Sequence, residues 1–185
     1  MKILAIDTCT EVASVTLYSS NVKTTRVLSD IAKSSGYILK LCDEVFKEAG
    51  NNLQEVDFIS YTKGPGAFTG VRMCVGVVQG LSLSCSIPTL GFSTLELLAF
   101  RASKILKKDK IATAIDARMG EVYWAVYDNG SISNMRICKP ENVDNLGASF
   151  VGVGSGWKVH NDELIKASQI NHTDSNIYPE STDLI

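Results

Sequence analysis

Two segments in opposite halves of the chain repeat the same order of residue types, and this repeat restricts the fold more than any other feature. The first copy contains Lys2-Ile3, Ala5-Ile6-Asp7, Glu11-Val12 and Leu17-Tyr18, and the second contains Lys110-Ile111, Ala114-Ile115-Asp116, Glu121-Val122 and Val126-Tyr127. In each copy an apolar run ends in Asp and leads through a tight turn into an alternating run, which is typical of a β-hairpin. The repeat predicts two related α/β lobes. The alternative is a chance similarity between short β-rich segments.

The spacing of apolar residues predicts the other elements. We expect further strands at residues 22–28, 56–62, 88–91, 131–138 and 150–153, and helices at 34–49, 69–84 and 93–107. Thr69 and Ser93 are the expected caps of the second and third helices. A glycine-rich stretch and a polar tail follow the last strand. Together these patterns predict an α/β fold with mixed sheets flanked by helices, divided into an N-terminal lobe (1–100) and a C-terminal lobe (101–185).

The charge balance excludes a strongly basic nucleic-acid-binding protein. The 185 residues include 18 Lys and Arg against 20 Asp and Glu, so the formal net charge is −2. Binding a polyphosphate requires several cations on one face. One cluster of basic residues is typical of a solvated helix end. It consists of Lys104, Lys107, Lys108 and Lys110.

Cysteine and histidine usage argues against a metal site. The five cysteines contain no CxxC pair and there are only two histidines, which predicts reduced thiols and no zinc site. The sequence also lacks GxSxG and HxxxH patterns, so we expect no catalytic residues. No apolar run approaches the roughly 20 residues of a membrane span, and the first apolar run is too short for a signal peptide. We therefore expect a cytoplasmic protein that does not bind membranes.

The segment from Thr62 to Gly76 is the most specific in the chain. Its early glycines and Pro65 predict a tight turn from a strand into a helix. Because Lys63 precedes the glycines, the spacing differs from that of a phosphate-binding P-loop, and a structural turn and an anion-binding turn both remain open. Gly76 and Gly80 each cost the helix roughly 1 kcal/mol relative to Ala. They indicate close approach of another backbone, either an internal helix or a partner subunit.

A second glycine-rich segment suggests a nucleotide site. Two lobes that each open with an Asp-bearing hairpin resemble the actin, sugar kinase and Hsp70 superfamily. The resemblance implies that Gly152 and Gly154, together with Asp7, Thr8 and Asp116, outline an ATP site, in which carboxylates would hold Mg²⁺ and turn amides would cradle phosphate. The alternative is that these glycines only allow a tight turn beside Trp157.

Three segments, in this order and spacing, resemble the bacterial TsaB family, also called YeaZ. They are residues 3–8, residues 64–76 and the Asp-Ala-Arg-Met-Gly-Glu-Val-Tyr segment at 116–123, and the resemblance spans essentially the whole chain. The resemblance implies two ribonuclease-H-like lobes of the actin, sugar kinase and Hsp70 (ASKA) type.

The function that the resemblance implies is that of a non-catalytic subunit. Such a subunit binds and activates TsaD, which transfers threonylcarbamoyl to the adenosine beside the anticodon of tRNAs that read codons starting with A. The resemblance also implies a second partner, the ATPase TsaE, a homodimer when the chain is alone, and only indirect contact with tRNA. By position the interface would lie on the helices at 34–49 and 69–84. The expected contact residues are Tyr37, Leu41, Val71, Arg72, Val75, Val78 and Gln79. The alternative function is a small ASKA-type ATP-dependent kinase or ATPase.

The chain departs from the family pattern at three places. Ser34-Ser35-Gly36 stands where the family commonly has a His-containing stretch, and Cys9 and Ala67 stand where it often has Ser. The family continues into a last helix after residues resembling 178–184, so we expect a shortened C-terminal lobe.

Overall fold

The computed structural model describes residues 1–29 and 36–185, and within them the chain forms ten strands and five α-helices. The strands are β1 (Ile3–Asp7), β2 (Ala13–Ser19), β3 (Val22–Leu28), β4 (Phe58–Thr62), β5 (Thr89–Phe92), β6 (Lys110–Arg118), β7 (Glu121–Asp128), β8 (Ser131–Cys138), β9 (Val151–Val153) and β10 (His172–Asp174). The helices are α1 (Ile38–Ala49), α2 (Phe68–Cys85), α3 (Thr94–Leu106), α4 (Gly156–Val159) and α5 (Asn161–Ser168). Residues 34 and 35, expected to open the first helix, lie outside the described residues.

The sequence repeat corresponds to a repeat of sheet topology. Among the described residues, the first sheet has five strands in the order β3-β2-β1-β4-β5, and the second has five in the order β8-β7-β6-β9-β10. In each sheet the first three strands of the chain form an antiparallel meander, and the last two strands join it in parallel. The predicted α/β class with two mixed sheets is confirmed.

The chain divides into two compact units. The first comprises Met1–Thr94 with Pro179–Ile185, and the second comprises Leu95–Tyr178. These bounds differ from the predicted lobes, because residue 100 falls inside α3 and the last seven residues return to the first unit. Hydrogen bonds account for that return, since the Ser181 backbone N–H donates to Ser14 Oγ at 2.8 Å.

The first sheet has two different faces. On one face, α1 and α2 cover an apolar core that includes Leu4, Ile6, Val15 and Ile59. The opposite face carries short and polar side chains, namely Ala5, Asp7, Ser14, Thr16, Ser60 and Thr62, all of which are fully buried. A 3₁₀ turn at Ser181–Leu184 packs against the strands of this sheet.

The second unit encloses a core around two tryptophans. Trp124 and Trp157 are buried with ring centroids 6.1 Å apart, and the Trp157 indole N–H donates to the Ala112 carbonyl at 3.2 Å. The region expected to be a glycine-rich stretch and a polar tail contains α4, α5 and β10. Helix α5 buries only Leu164 and Ser168, which is too few apolar positions to show helical periodicity.

Of the two predicted helix caps, Thr69 is wrong, and Ser93 stands at the cap position but makes no capping hydrogen bond with its hydroxyl among the described residues. Helix α2 begins at Phe68 with Ala67 at the cap position, so Thr69 lies inside the first turn. The Ser93 hydroxyl, which precedes α3, is buried and has no hydrogen-bond partner within residues 1–29 and 36–185. Helix α2 therefore starts two residues earlier than Thr69 indicates, whereas α3 starts directly after Ser93.

Candidate functional site

Helix α2 is the longest helix in the described part of the chain, and most of its surface is uncovered. Of its 18 residues, Gly70, Cys74 and Val78 are buried. The exposed positions form a stripe along one face of the helix, and they are Phe68, Thr69, Arg72, Gly76, Gln79, Gly80, Leu83 and Ser84. Their spacing of three or four residues places them on a single side.

The start of α2 is fixed to the turn after β1. The Ala67 backbone N–H donates to the Cys9 carbonyl at 2.8 Å, and Thr8 Oγ1 donates to the Gly70 carbonyl at 2.6 Å. A side chain at Gly66 would overlap the Cys9 carbonyl. The glycines of this turn are therefore explained by close packing of the turn on the chain itself, which favours the structural interpretation over an anion-binding loop.

The residues at the centre of the exposed stripe are small, and those at its two ends have large apolar side chains. A methyl group at Gly76 or Gly80 would have no atom of the described structure within 4 Å. At the ends, Phe68 is 67% exposed and Leu83 is 82% exposed. The Arg72 guanidinium lies 3.5 Å from the centroid of the Phe68 ring. A stripe of this shape allows the backbone of another helix to approach closely while the two ends make apolar contacts.

Helix α2 is also long and apolar enough, by length and composition, to cross a membrane. The sequence analysis did not expect this. However, Cys74 Sγ donates to the Ile6 carbonyl on β1 at 3.6 Å, and Val78 is part of the core beneath the sheet. These contacts make α2 an integral helix of the first unit.

The structure divides the seven predicted interface residues into three groups. Leu41 and Val78 are buried in the core of the first unit, so we correct their assignment, because a side chain that packs on the sheet is not free to contact a partner. Tyr37, Arg72 and Gln79 are exposed, and Val71 and Val75 are half-buried. The sequence analysis noted Gly76 and Gly80 but missed Phe68 and Leu83. The signal that could have found Phe68 and Leu83 is their helical spacing, which places both on the same side of α2 as Arg72.

Asp7 is fully buried at the end of β1. Its Oδ1 accepts hydrogen bonds from Thr62 Oγ1 and from the Cys9 backbone N–H, while Oδ2 has no partner among the described residues. Burial raises the pKa of this carboxyl from 3.8 to about 6, against the lowering effect of the two hydrogen bonds.

Asp116 occupies the same position at the end of the corresponding β6 turn. Its side chain is 11% exposed, and its carboxylate lies 3.3 Å from the Arg118 guanidinium and 3.6 Å from His160 Nε2. Its neighbours thus include the guanidinium of an arginine and the ring of a histidine. Among the described residues no group of three or more His, Cys, Asp and Glu side chains is arranged to hold a metal ion.

The other residues of the predicted nucleotide site are used for packing. Thr8 is buried and bonded to α2. A side chain at Gly152 would overlap the Trp157 ring, and one at Gly154 would lie 2.6 Å from the Ala114 carbonyl oxygen. Both glycines are buried. Their presence is explained by the close approach of Trp157 and β6, as the packing alternative predicted.

Comparison with known proteins gives consistent matches over the whole chain. A family model described as "TsaD: tRNA N6-adenosine threonylcarbamoyltransferase" matches residues 30–182. The chain is 33% identical over 195 aligned residues to the tRNA threonylcarbamoyladenosine biosynthesis protein TsaB of Escherichia coli (strain K12), covering 100% of the chain and 84% of that relative. The TsaB protein of Buchnera aphidicola subsp. Schizaphis graminum is 35% identical, with 99% of the chain and 90% of the relative covered.

A solved structure agrees with these relatives. YeaZ from Pseudomonas aeruginosa matches with a TM-score of 0.89 and 33% sequence identity, covering 100% of this chain and 89% of that one. The match extends over both units of this chain. The chain therefore belongs to the TsaB family, also called YeaZ, and has the actin-like fold of that family.

Proposed function

We propose that the chain acts in tRNA threonylcarbamoyladenosine biosynthesis as a non-catalytic subunit that binds and activates TsaD. The observation that carries this proposal is the exposed stripe of α2. A long apolar helix with open space above Gly76 and Gly80 is costly to leave in water. Covering it with helices of a second protein removes that cost, and a standard interface buries roughly 1,600 Å² in total.

The chemistry of the first unit favours an accessory role. Its Asp7 carboxyl is fully buried and lies against Thr62 and the β1–β2 turn, where a substrate has no access to it. Thr8 is bonded to α2, and in the second unit Gly152 and Gly154 are likewise required for close packing. These placements support binding, rather than turnover of a small molecule, as the task of the chain.

The activating effect follows from differential affinity. A subunit that binds the active conformation of TsaD more tightly than the inactive one shifts TsaD toward the active conformation. Without TsaD, the same α2 face would pair with a second copy and give a homodimer. TsaE would join the assembly as a further partner, and tRNA would be reached through TsaD. We place this assembly in the cytoplasm.

The experiment uses a substitution that blocks the face without disturbing the fold. Gly76→Arg places a long cation at the centre of the stripe, and the space there is open within the first unit. Arg is also a better helix former than Gly, by roughly 0.8–1 kcal/mol. We expect the variant to be folded and at least as stable as the wild type, but to bind TsaD from the same source at least 100-fold more weakly in titration calorimetry.

A matched control adds the same side chain elsewhere. Ser131 is exposed at the start of β8 in the second unit, and Ser131→Arg should bind TsaD like the wild type. Wild-type affinity of Gly76→Arg would refute α2 as the docking face. Equal loss in both variants would mean that added charge alone weakens binding.

A further inference from the structure

The last seven residues occupy the polar face of the first sheet. The Ser181 backbone N–H donates to Ser14 Oγ, and the Ser181 hydroxyl lies 2.8 Å from Thr16 Oγ1. Lys23 Nζ donates to the Thr182 carbonyl at 2.7 Å. Ser181 and Leu184 are both buried. The segment 179–185, which we call the C-terminal latch, is therefore held by specific contacts to β2 and β3.

Asp7 lies beside the docked latch. In the sheet register Asp7 is paired with Ser14, and the Ser14 hydroxyl accepts the hydrogen bond from Ser181. The residue before Ser181 is Glu180, whose carboxylate is close enough to Asp7 to raise the pKa of Asp7. The charge of Glu180, from a distant part of the chain, therefore acts on Asp7.

The groups around Asp7 offer little compensation for its charge. The titratable groups that face it are the Cys9 thiol from the following turn, the Cys74 thiol from α2 and Glu180 from the latch. Thr62 on β4 donates a hydrogen bond, and Ser14 on β2 presents a second hydroxyl. Asp7 Oδ2 has no hydrogen-bond partner among the residues that the structure describes. Burying an ionised oxygen without a hydrogen bond from the protein is unfavourable, so these surroundings favour the neutral carboxyl.

We propose that the C-terminal latch is proton-controlled: it stays docked on the first sheet while Asp7 is neutral and is released when Asp7 ionises. Release exposes the polar face to water and removes Glu180 from the neighbourhood. Both changes favour the charged form of Asp7, so by linkage the charged form favours release. The proposal concerns the polar face of the sheet and is independent of the α2 docking face on the other side.

The direction of the effect follows from the surroundings of Asp7. Burial is the main cause that raises its pKa from 3.8 to about 6, and Glu180 acts in the same direction. In the docked state Asp7 is therefore neutral below about pH 6 and ionised above it. Docking is strongest in mild acid and weakens as the pH rises through 6.

Hydrogen exchange of the full chain, followed by mass spectrometry between pH 5 and 8, measures latch docking directly. After correction for the intrinsic exchange rate, we expect protection of the peptide covering residues 179–185 to fall about tenfold across this range, which corresponds to a change of one pKa unit in Asp7 on release. Peptides from α5 in the second unit provide the internal reference.

Two substitutions identify the groups responsible. Asp7→Asn keeps the shape of the side chain but cannot ionise. Glu180→Gln removes the latch charge that acts on Asp7. We expect latch protection to become independent of pH in Asp7→Asn, and the fall to be reduced in Glu180→Gln, which also serves if Asp7→Asn folds poorly. Asp183→Asn removes the other latch carboxylate and should keep the full pH dependence. Constant protection in the wild type, or an undiminished fall in both Asp7→Asn and Glu180→Gln, would overturn the proposal.

Discussion

The two units share one sheet topology but cover their sheets differently. In the first unit, the connection between β4 and β5 is α2, a helix of 18 residues. In the second, the corresponding connection between β9 and β10 contains α4 and α5, with 4 and 8 residues. Trp157 on α4 folds back onto β9 and β6, whereas α2 leaves a full stripe exposed. The repeated sheet is the scaffold, and the helices decide which unit has a surface for a partner.

The repeated Asp residues show the same contrast on a smaller scale. Each accepts a hydrogen bond from the backbone N–H two residues later, at 3.1 Å for Asp7 and 3.0 Å for Asp116. This local turn is common to both hairpins. Asp7 is then buried beside Glu180, while Asp116 is paired with Arg118 and His160. The shared hairpin sets the position of the carboxylate, and the surroundings of that carboxylate differ between the two units.

The largest predicted effect on stability comes from a substitution that disturbs the close contact between Gly152 and the Trp157 ring in the second unit. Gly152→Ala places a methyl group against the Trp157 ring. Because a packed core cannot absorb that overlap, we expect the free energy of unfolding to fall by about 3 kcal/mol or more. Both tryptophans of the chain lie in the second unit, so urea unfolding followed by tryptophan fluorescence reports this unit. An unchanged midpoint would mean that the glycine is not required for packing.

A smaller effect, which is a gain in unfolding free energy, distinguishes Asp7 from Asp116. A carboxyl whose pKa rises from 3.8 to about 6 on folding is destabilising: the effect begins above pH 3.8, grows as the pH rises to 6 and is then constant, at about 3 kcal/mol at most. Asp7→Asn should therefore raise the unfolding free energy by about 2 kcal/mol at pH 8 and by about half as much at pH 5.

Asp116→Asn is the matched variant for this comparison. It removes a carboxylate that is paired with Arg118, whose own side chain is 85% exposed, so we expect a loss of less than about 1 kcal/mol at pH 8. Calorimetric unfolding of both variants at the two pH values measures the difference. A loss of stability at pH 8 in Asp7→Asn would contradict the assignment of Asp7 as a destabilising buried charge.

The smallest effect concerns the stripe of α2. Gly76→Ala adds a methyl group in open space and improves helix propensity, so at concentrations low enough to keep the chain monomeric it should gain about 1 kcal/mol. The gain contrasts with the loss expected for Gly152→Ala, although the chemical change is identical. Thermal unfolding followed by circular dichroism measures it. A destabilised Gly76→Ala would show that the space above Gly76 is filled in the isolated chain.

Much of the sheet architecture could be predicted from the sequence. The alternation in β2 and the apolar runs in β1 and β6 depend on local residue order, so the repeat and most strands were predictable. The return of residues 179–185 was not, because it depends on hydroxyl contacts such as Ser181 with Ser14 across the chain. The short helices α4 and α5 bury too few residues to produce a periodic pattern.

The candidate site was predictable only in part. The sequence identified α2 as an apolar helix with unusual glycines, but it could not decide which side faces the sheet. Leu41 and Val78 were therefore assigned to the interface although they belong to the core. The large exposed residues at the ends of the stripe, Phe68 and Leu83, have the same composition signal as core residues. Only the packing in the folded structure shows which of these apolar residues are exposed and which belong to the core.

Light scattering after size exclusion tests the accessory-subunit proposal most directly. The chain is measured alone and after mixing with TsaD from the same source, with Gly76→Arg measured in parallel. The proposal predicts a homodimer alone and a one-to-one complex with TsaD for the wild type, and neither species for Gly76→Arg. Separate, unshifted peaks for the wild-type chain and TsaD would contradict it.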